Sequence, residues 1–232
     1  LGSQSLDTNT TGSCNTGIGR NALFSNTTAG NNTALGYDAL FANLTGANNT
    51  AVGSLSLDAN TTGDKNIAVG RSALTDNTEG ICNTAVGYYA LGANTTASYN
   101  TAFGSTALDA NTTGTTNTAV GNGALSTNTT ASGNTAVGGY SLLNNTTGHT
   151  NTAVGSCNPG NYGSAMEGNT TGCCNVAMGN GALRTNTTGQ CNNAIGVLAL
   201  GCTTTGTNNT ALGHMALWSN ITASANTGIG NY

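Results

Sequence analysis

The chain has little charge, almost no proline and no long apolar run. Charged residues make up 5% of its 232 residues, 4 of them basic and 8 acidic, with one Pro and one Trp; about 25% charge is usual. The four basic residues form no run, which excludes the stripe that a nucleic-acid surface needs. No stretch approaches the roughly 18 apolar residues of a membrane helix, so no membrane insertion is expected in this segment.

A strict repeat fills the chain and argues against low-complexity disorder. The phrase NTAVG recurs with small changes, and its glycine, here the marker glycine, falls at positions 2, 19, 36, 53, 70, 87, 104, 121, 138, 155, 179, 196, 213 and 230. Every step is 17 residues except the 24 from Gly155 to Gly179. A seven-residue insertion therefore lies in SCNPGNYGSAMEG, around Pro159.

The columns of the repeat predict a fold. Asn stands four residues before the marker glycine, and a large apolar residue stands directly before that glycine. Leu follows four residues after the glycine, and N-T-T-G or a variant comes next. A fixed glycine and turn residues in every cycle would break a helix, whereas short β-branched runs between turns are typical of strands. We predict an all-β, parallel β-solenoid (β-roll) of about thirteen 17-residue coils, with one inserted segment.

The columns also suggest roles for their residues. We expect the large apolar residue and the Leu to fill a thin core, and the Asn column to form a hydrogen-bonded ladder. The last residue of N-T-T-G, which is Gly or Ala, suits a tight, left-handed turn. Residues 1–232 are expected to form a single repeat domain, a segment of a longer or end-to-end stacked fibre.

The phrase N-T-A-V-G-x-x-A-L resembles the head repeat of trimeric autotransporter adhesins, S-V-A-I-G-x-x-A, and similar repeats of phage tail fibres. The resemblance covers the chain apart from the insertion, although the adhesin repeat is about 14 residues long. It implies a left-handed β-roll, three chains around an axis, an adhesive or structural role and no catalysis. Expected partners are copies of the same chain, as a trimer or an end-to-end stack, at an extracellular or cell-surface location.

Candidate chemistry is sparse. His149 and His214 lie in different columns without repeated carboxylates nearby, so no enzyme, no catalytic residue and no cofactor is predicted. The seven cysteines lack the CxxC spacing of a zinc site, and no metal site is predicted. Cys174 and Cys191 are 17 residues apart in one column, so stacking about 4.8 Å apart makes them a candidate disulfide. Because the number of cysteines is odd, at least one of them is expected to remain a free thiol or to form a disulfide with another chain.

The N-T-T turn contains a candidate N-glycosylation acceptor, N-x-T. Eleven coils carry it, at Asn9, Asn26, Asn43, Asn60, Asn94, Asn111, Asn128, Asn145, Asn169, Asn186 and Asn220. One interpretation is a ridge of covalent glycans along the fibre. The other is that Thr packs or forms hydroxyl bonds at a corner of the coil.

Three functions remain open on the sequence alone. We favour a structural or adhesive segment of an extracellular fibre. A phage tail-fibre shaft is an alternative, and so is an ice-binding solenoid that uses its Thr columns. The Thr column after the Asn ladder is interrupted by Ile67, Val176 and Asn193. The insertion is expected to loop out as a surface bulge.

Overall fold

All regular elements of the structure, a computed structural model that describes residues 2–156 and 163–231, are β-strands. Each strand has three residues and ends directly before a marker glycine. In chain order they are β1 Thr16–Ile18, β2 Thr33–Leu35, β3 Thr50–Val52, β4 Ile67–Val69, β5 Thr84–Val86, β6 Thr101–Phe103, β7 Thr118–Val120, β8 Thr135–Val137, β9 Thr152–Val154, β10 Val176–Met178, β11 Asn193–Ile195, β12 Thr210–Leu212 and β13 Thr227–Ile229. The all-β prediction is confirmed.

The chain groups into two compact units, residues 1–115 with β1–β6 and residues 116–232 with β7–β13. Within each unit the strands pair in parallel in chain order, and equivalent positions of the repeat face each other. Ala68 pairs with Ala85, for example, and Ala136 with Ala153. Each unit is therefore a parallel β-solenoid with one strand per coil, as predicted. The prediction of one repeat domain over residues 1–232 stays a prediction.

The interior of each coil is built from Leu, Ala and Asn. The leucine four residues after the marker glycine is fully buried in most coils, as at Leu74 and Leu91. In the coil with the insertion, Met166 takes this place and is also fully buried. The extra residues therefore precede Met166. Pro159, on which the bulge prediction rests, lies outside the described residues.

The large apolar residue before the marker glycine does not lie in the core, so that part of the core prediction is wrong. The middle Ala of a typical strand is buried, and both flanking residues are exposed or half-buried. Alternation along a strand requires this, since only every second side chain can point inward. Inside the coil, Ala and Leu together supply the apolar packing.

Left-handed backbone recurs in every coil, but not where it was expected. The buried leucines adopt it, for example Leu91 at φ 54° and Leu108 at φ 54°, and this backbone costs a non-glycine residue about 1–2 kcal/mol. From Gly19 onward the marker glycines have φ between 124° and 154°, and a Cβ on Gly87 would collide with the carbonyl of Gly104. The last residue of N-T-T-G is not left-handed, which explains why alanine is accepted there, as at Ala97.

Candidate functional site

The turn asparagines lie inside the coils, seven residues after the marker glycine or at the equivalent place in the coil with the insertion. Among the glycosylation candidates, Asn9 and Asn220 are half-buried. The other nine have no exposed surface: Asn26, Asn43, Asn60, Asn94, Asn111, Asn128, Asn145, Asn169 and Asn186. The N-x-T acceptors therefore lie on an inward ladder and not on an exposed ridge.

A buried turn asparagine uses both protons of its Nδ2 group. The Nδ2 of Asn94 donates to Oδ1 of Asn77 at 2.8 Å and to the carbonyl of Ala97 at 3.0 Å. Asn60 repeats the pattern with Asn43 at 2.9 Å and Gly63 at 3.0 Å. A glycan bonded to Nδ2 would replace one of these two protons. Because the asparagine is buried, the backbone around it would have to open to let the sugar out of the coil. The buried Nδ2 groups argue against the glycan interpretation, and the middle Thr of N-T-T forms a corner bond, as Thr61 does to the carbonyl of Thr78 at 3.0 Å. Glycosylation of these asparagines stays a prediction.

The column four residues before the marker glycine forms a second ladder, mainly between side chain and backbone. Oδ1 of Asn66 accepts from the backbone N–H of Asn83 at 2.9 Å, and Nδ2 of Asn83 donates to the carbonyl of Ala97 at 2.8 Å. The Ala97 carbonyl thus accepts from both ladders. Buried polar groups need hydrogen-bond partners. Each ladder supplies them within its own column from coil to coil, and the two ladders share the turn carbonyl as an acceptor.

The turn ladder has one defect. Thr203 occupies the asparagine place and donates its hydroxyl to the carbonyl of Asn220 at 2.6 Å. Because Thr203 has no amide to offer, the Oδ1 atom of the buried Asn186 is left without a hydrogen-bond partner. An unsatisfied buried acceptor costs about 1–3 kcal/mol.

An apolar stripe runs along the outward face of the strands in each unit. It consists of the residue directly before each marker glycine: Ile18, Leu35, Val52, Val69, Val86, Phe103, Val120, Val137, Val154, Met178, Ile195, Leu212 and Ile229. Leu35 is 45% exposed and Phe103 56%. Scattered exposed apolar residues are ordinary, but a contiguous apolar surface marks an interaction site.

Aromatic side chains form small clusters on the first unit. Tyr88 and Tyr89 are exposed and meet edge to face, with ring centroids 4.7 Å apart. Arg71 lies 5.8 Å from the centroid of the Tyr88 ring, and Arg20 lies 5.9 Å from that of Tyr37. The two arginine–tyrosine pairs link neighbouring coils at the residues that follow the marker glycine.

The described cysteines are all free thiols. Cys174 and Cys191, the candidate disulfide, are both exposed and unbonded. Cys14 and Cys82 share their column in the other unit and are also free. Cys157 lies outside the described residues. The proposed pairing therefore remains a prediction for oxidising conditions.

His149, Cys173 and Cys174 come together on successive coils of the second unit. One potential ligand atom from each lies within 4.8 Å of the other two. The pKa of Cys174 lies below its usual value, first because of a hydrogen bond with Thr150 and then because of one with Cys173. Burial, followed by the neighbouring thiols, raises the pKa of Cys173. The spacing along the chain hides this cluster, although His149 and Cys173 occupy the same column.

The remaining titratable groups form no second cluster of this kind among the described residues. His214 is exposed and contacts Oδ1 of Asn231 at 3.1 Å through Nδ1. Asp58 and Asp109 are partly buried, and burial raises the pKa of both carboxyl groups.

The residues that the structure describes include no helix with the length and apolarity needed to cross a membrane. The fold and its ladders define the chain as a β-solenoid repeat protein. Neither a protein-family model, nor a curated protein, nor a solved structure matches the chain. The resemblance to adhesin heads and tail fibres therefore rests on the repeat residues alone.

Proposed function

We propose that this chain is a structural segment of an extracellular fibre, in which copies of the chain pack together through the apolar stripe. The observation that carries the proposal is that every strand presents a large apolar side chain outward, in register with the next strand of its unit. Exposing such a column to water is costly, at about 25 cal/mol per Å² of apolar surface. A partner that covers it recovers that free energy.

A second copy of the chain is the partner that the chemistry favours. The stripe carries no charge to steer an acidic or basic partner, and the whole chain has a formal net charge of only −4. The stripe also repeats with the period of the coil, so a surface with the same period matches it along its length. Another copy supplies that period, in a trimer or another closed arrangement.

Ice binding uses the same face and is the weaker candidate. The Thr column beside the stripe does point outward, as at Thr33 and Thr101. However, Phe103 and Met178 are larger than the valines of the stripe, and Ile67 interrupts the Thr column. An uneven face with mixed side chains orders water poorly, whereas it packs well against a complementary copy.

Self-association can be measured with charge placed on the stripe. Leu35→Lys with Phe103→Lys should shift the chain toward monomer in sedimentation-velocity runs, since lysine would be buried without a partner. The matched control is Thr62→Lys with Thr96→Lys, on exposed turn positions of the same unit. The proposal fails if both double variants associate like the unaltered chain, or if all three are monomeric. Thermal hysteresis of freezing would instead support ice binding.

A further inference from the structure

The repeat brings three metal-ligand side chains to one place on the second unit. His149 and Cys173 occupy equivalent positions six residues before their marker glycines, and Cys174 follows Cys173 directly. The backbone N–H of Cys174 donates to the carbonyl of His149 at 3.1 Å, which fixes the two coils against each other. One ligand atom from each of the three side chains lies within 4.8 Å of the others.

We propose that His149, Cys173 and Cys174 form a binding site for a zinc-class cation, a d10 ion that favours thiolate and imidazole ligands. Thiolate sulfur and imidazole nitrogen are the ligands of structural zinc sites, with Zn–S about 2.3 Å and Zn–N about 2.0–2.1 Å. Tetrahedral angles then place ligand atoms about 3.5–3.8 Å apart. The cluster, at no more than 4.8 Å, needs side-chain movements of about 1 Å.

Cys191 is placed to complete the coordination. Its backbone N–H donates to the carbonyl of Cys173 at 3.1 Å, one coil further along, and its thiol is exposed. It occupies the column of Cys174, so its side chain emerges on the same surface. Its thiol already shares a hydrogen bond with the thiol of Cys174, so its recruitment to the ion would give three thiolates and one imidazole. Where Cys191 does not bind the ion, water would fill the fourth position.

Thr150 provides the outer partner that metal ligands usually have. Its hydroxyl donates to the backbone carbonyl of His149 at 2.7 Å, and its Oγ1 lies 3.1 Å from Nδ1 of His149 and 3.3 Å from Sγ of Cys174. The hydroxyl therefore connects the imidazole and the thiol before any ion binds.

The site would link two consecutive coils where the repeat is interrupted, and a third coil if Cys191 also binds. The insertion separates Gly155 from Gly179, yet the backbone N–H of Asn175 still donates its ladder bond to Oδ1 of Asn151 at 3.0 Å. A bound ion would cross-link the coils on both sides of the insertion. Metal binding would then raise the unfolding temperature, since a ligand that binds only the folded chain stabilises it.

Cobalt titration of the reduced, metal-free chain tests the site. One equivalent of Co²⁺ should give the visible bands of tetrahedral cobalt together with thiolate-to-cobalt charge transfer, and Zn²⁺ should displace it. Cys173→Ser with Cys174→Ser should abolish these bands. The matched control Cys14→Ser with Cys82→Ser, which removes two isolated thiols from the first unit, should keep them. His149→Ala, which removes a direct ligand, should weaken zinc binding by more than the roughly 10-fold that loss of an outer-shell partner costs.

Three results would overturn the proposal. They are the absence of thiolate charge transfer, unchanged bands in the Cys173 and Cys174 double variant, and a Cys174–Cys191 disulfide in the native chain that excludes metal. Circular dichroism checks that each variant folds. If the double variant does not fold, the ¹¹³Cd resonance of the unaltered chain decides, because sulfur ligands shift it far from the position given by oxygen ligands.

Discussion

The defect at Thr203 gives the sharpest test of the asparagine ladder. Nδ2 of Asn186 makes both of its bonds, to Oδ1 of Asn169 at 2.7 Å and to the carbonyl of Gly189 at 3.1 Å, but its own Oδ1 has no partner. Thr203→Asn places an amide at the missing position. The new Nδ2 would donate to Asn186, and the new Oδ1 would accept from the next turn asparagine.

The size of the effect follows from the bonds exchanged. Following the pattern of the other coils, the new Nδ2 would donate to Oδ1 of Asn186 and to the carbonyl of Gly206. The new Oδ1 would accept a third bond from Nδ2 of Asn220. It removes the hydroxyl bond from Thr203 to Asn220. At about 1 kcal/mol net for each bond, and with part of the gain lost to ordering a longer side chain, we expect stabilisation by about 1–2 kcal/mol. A chain of this size gains about 2–4 °C in melting temperature per kcal/mol.

Urea unfolding followed by circular dichroism measures this change, and two further variants control it. Thr203→Val removes the hydroxyl without supplying an amide and should not stabilise the chain. Asn60→Thr copies the defect into the first unit and should destabilise it by a similar amount, about 1–2 kcal/mol, because it orphans Oδ1 of Asn43. The ladder argument is refuted if Thr203→Asn is neutral or destabilising while Asn60→Thr is tolerated.

Three other predictions concern the turn, the core and a partly buried carboxyl group. Thr62→Ala, which destroys an N-x-T acceptor at an exposed residue, should change stability by less than about 0.5 kcal/mol, whereas Asn60→Ala should cost about 2–4 kcal/mol; equal costs in urea unfolding would count against the ladder. Leu74→Ala should cost about 2–5 kcal/mol by calorimetry because it opens a cavity at a fully buried position, and a loss below about 1 kcal/mol would show a core that collapses readily. Burial raises the pKa of Asp58 above 3.8, so the folded chain holds this proton more tightly than the unfolded chain, and stability is lost as pH rises through the raised pKa. Asp58→Asn should reduce that loss, and an unchanged pH profile of stability would mean that Asp58 does not contribute to it.

Much of the fold can be predicted from the sequence because each column of a solenoid is a single structural environment. The 17-residue period places the strands, the Leu column places the core, and the Asn column predicts a hydrogen-bonded ladder. The period also locates the insertion between Gly155 and Gly179, whereas the structure is needed to show that Met166 takes the place of a leucine there. These inferences need only that equivalent residues stack on one another.

Two features of the fold are not predictable in this way, for physical reasons. The expectation that Val and Ile fill the core rests on the usual burial of large apolar residues, but alternation along the strand turns them outward. In β4, Ala68 is buried, while Val69 beside it is half-buried on the outward face. The left-handed leucines also escape prediction, because local preferences disfavour that backbone for Leu and only packing across the coil compensates for its cost.

The metal-ligand cluster escapes a sequence search for a different reason. Zinc spacing is usually sought along the chain, where Cys173, Cys174 and His149 show no CxxC pattern. In a solenoid, ligands come together by column, and the inserted residues hide that His149 and Cys173 are equivalent. Aligning the two coils on their marker glycines before searching for ligands reveals the cluster.

A cryo-electron-microscopy map of the native assembly tests the central claim most directly, because it shows both the turn asparagines and the apolar stripe. The account predicts that Asn60, Asn94 and Asn111 carry no added density and point into the coil, and that a neighbouring copy of the chain covers the stripe. Branched density extending from these asparagines, or a stripe that faces only solvent, would contradict it.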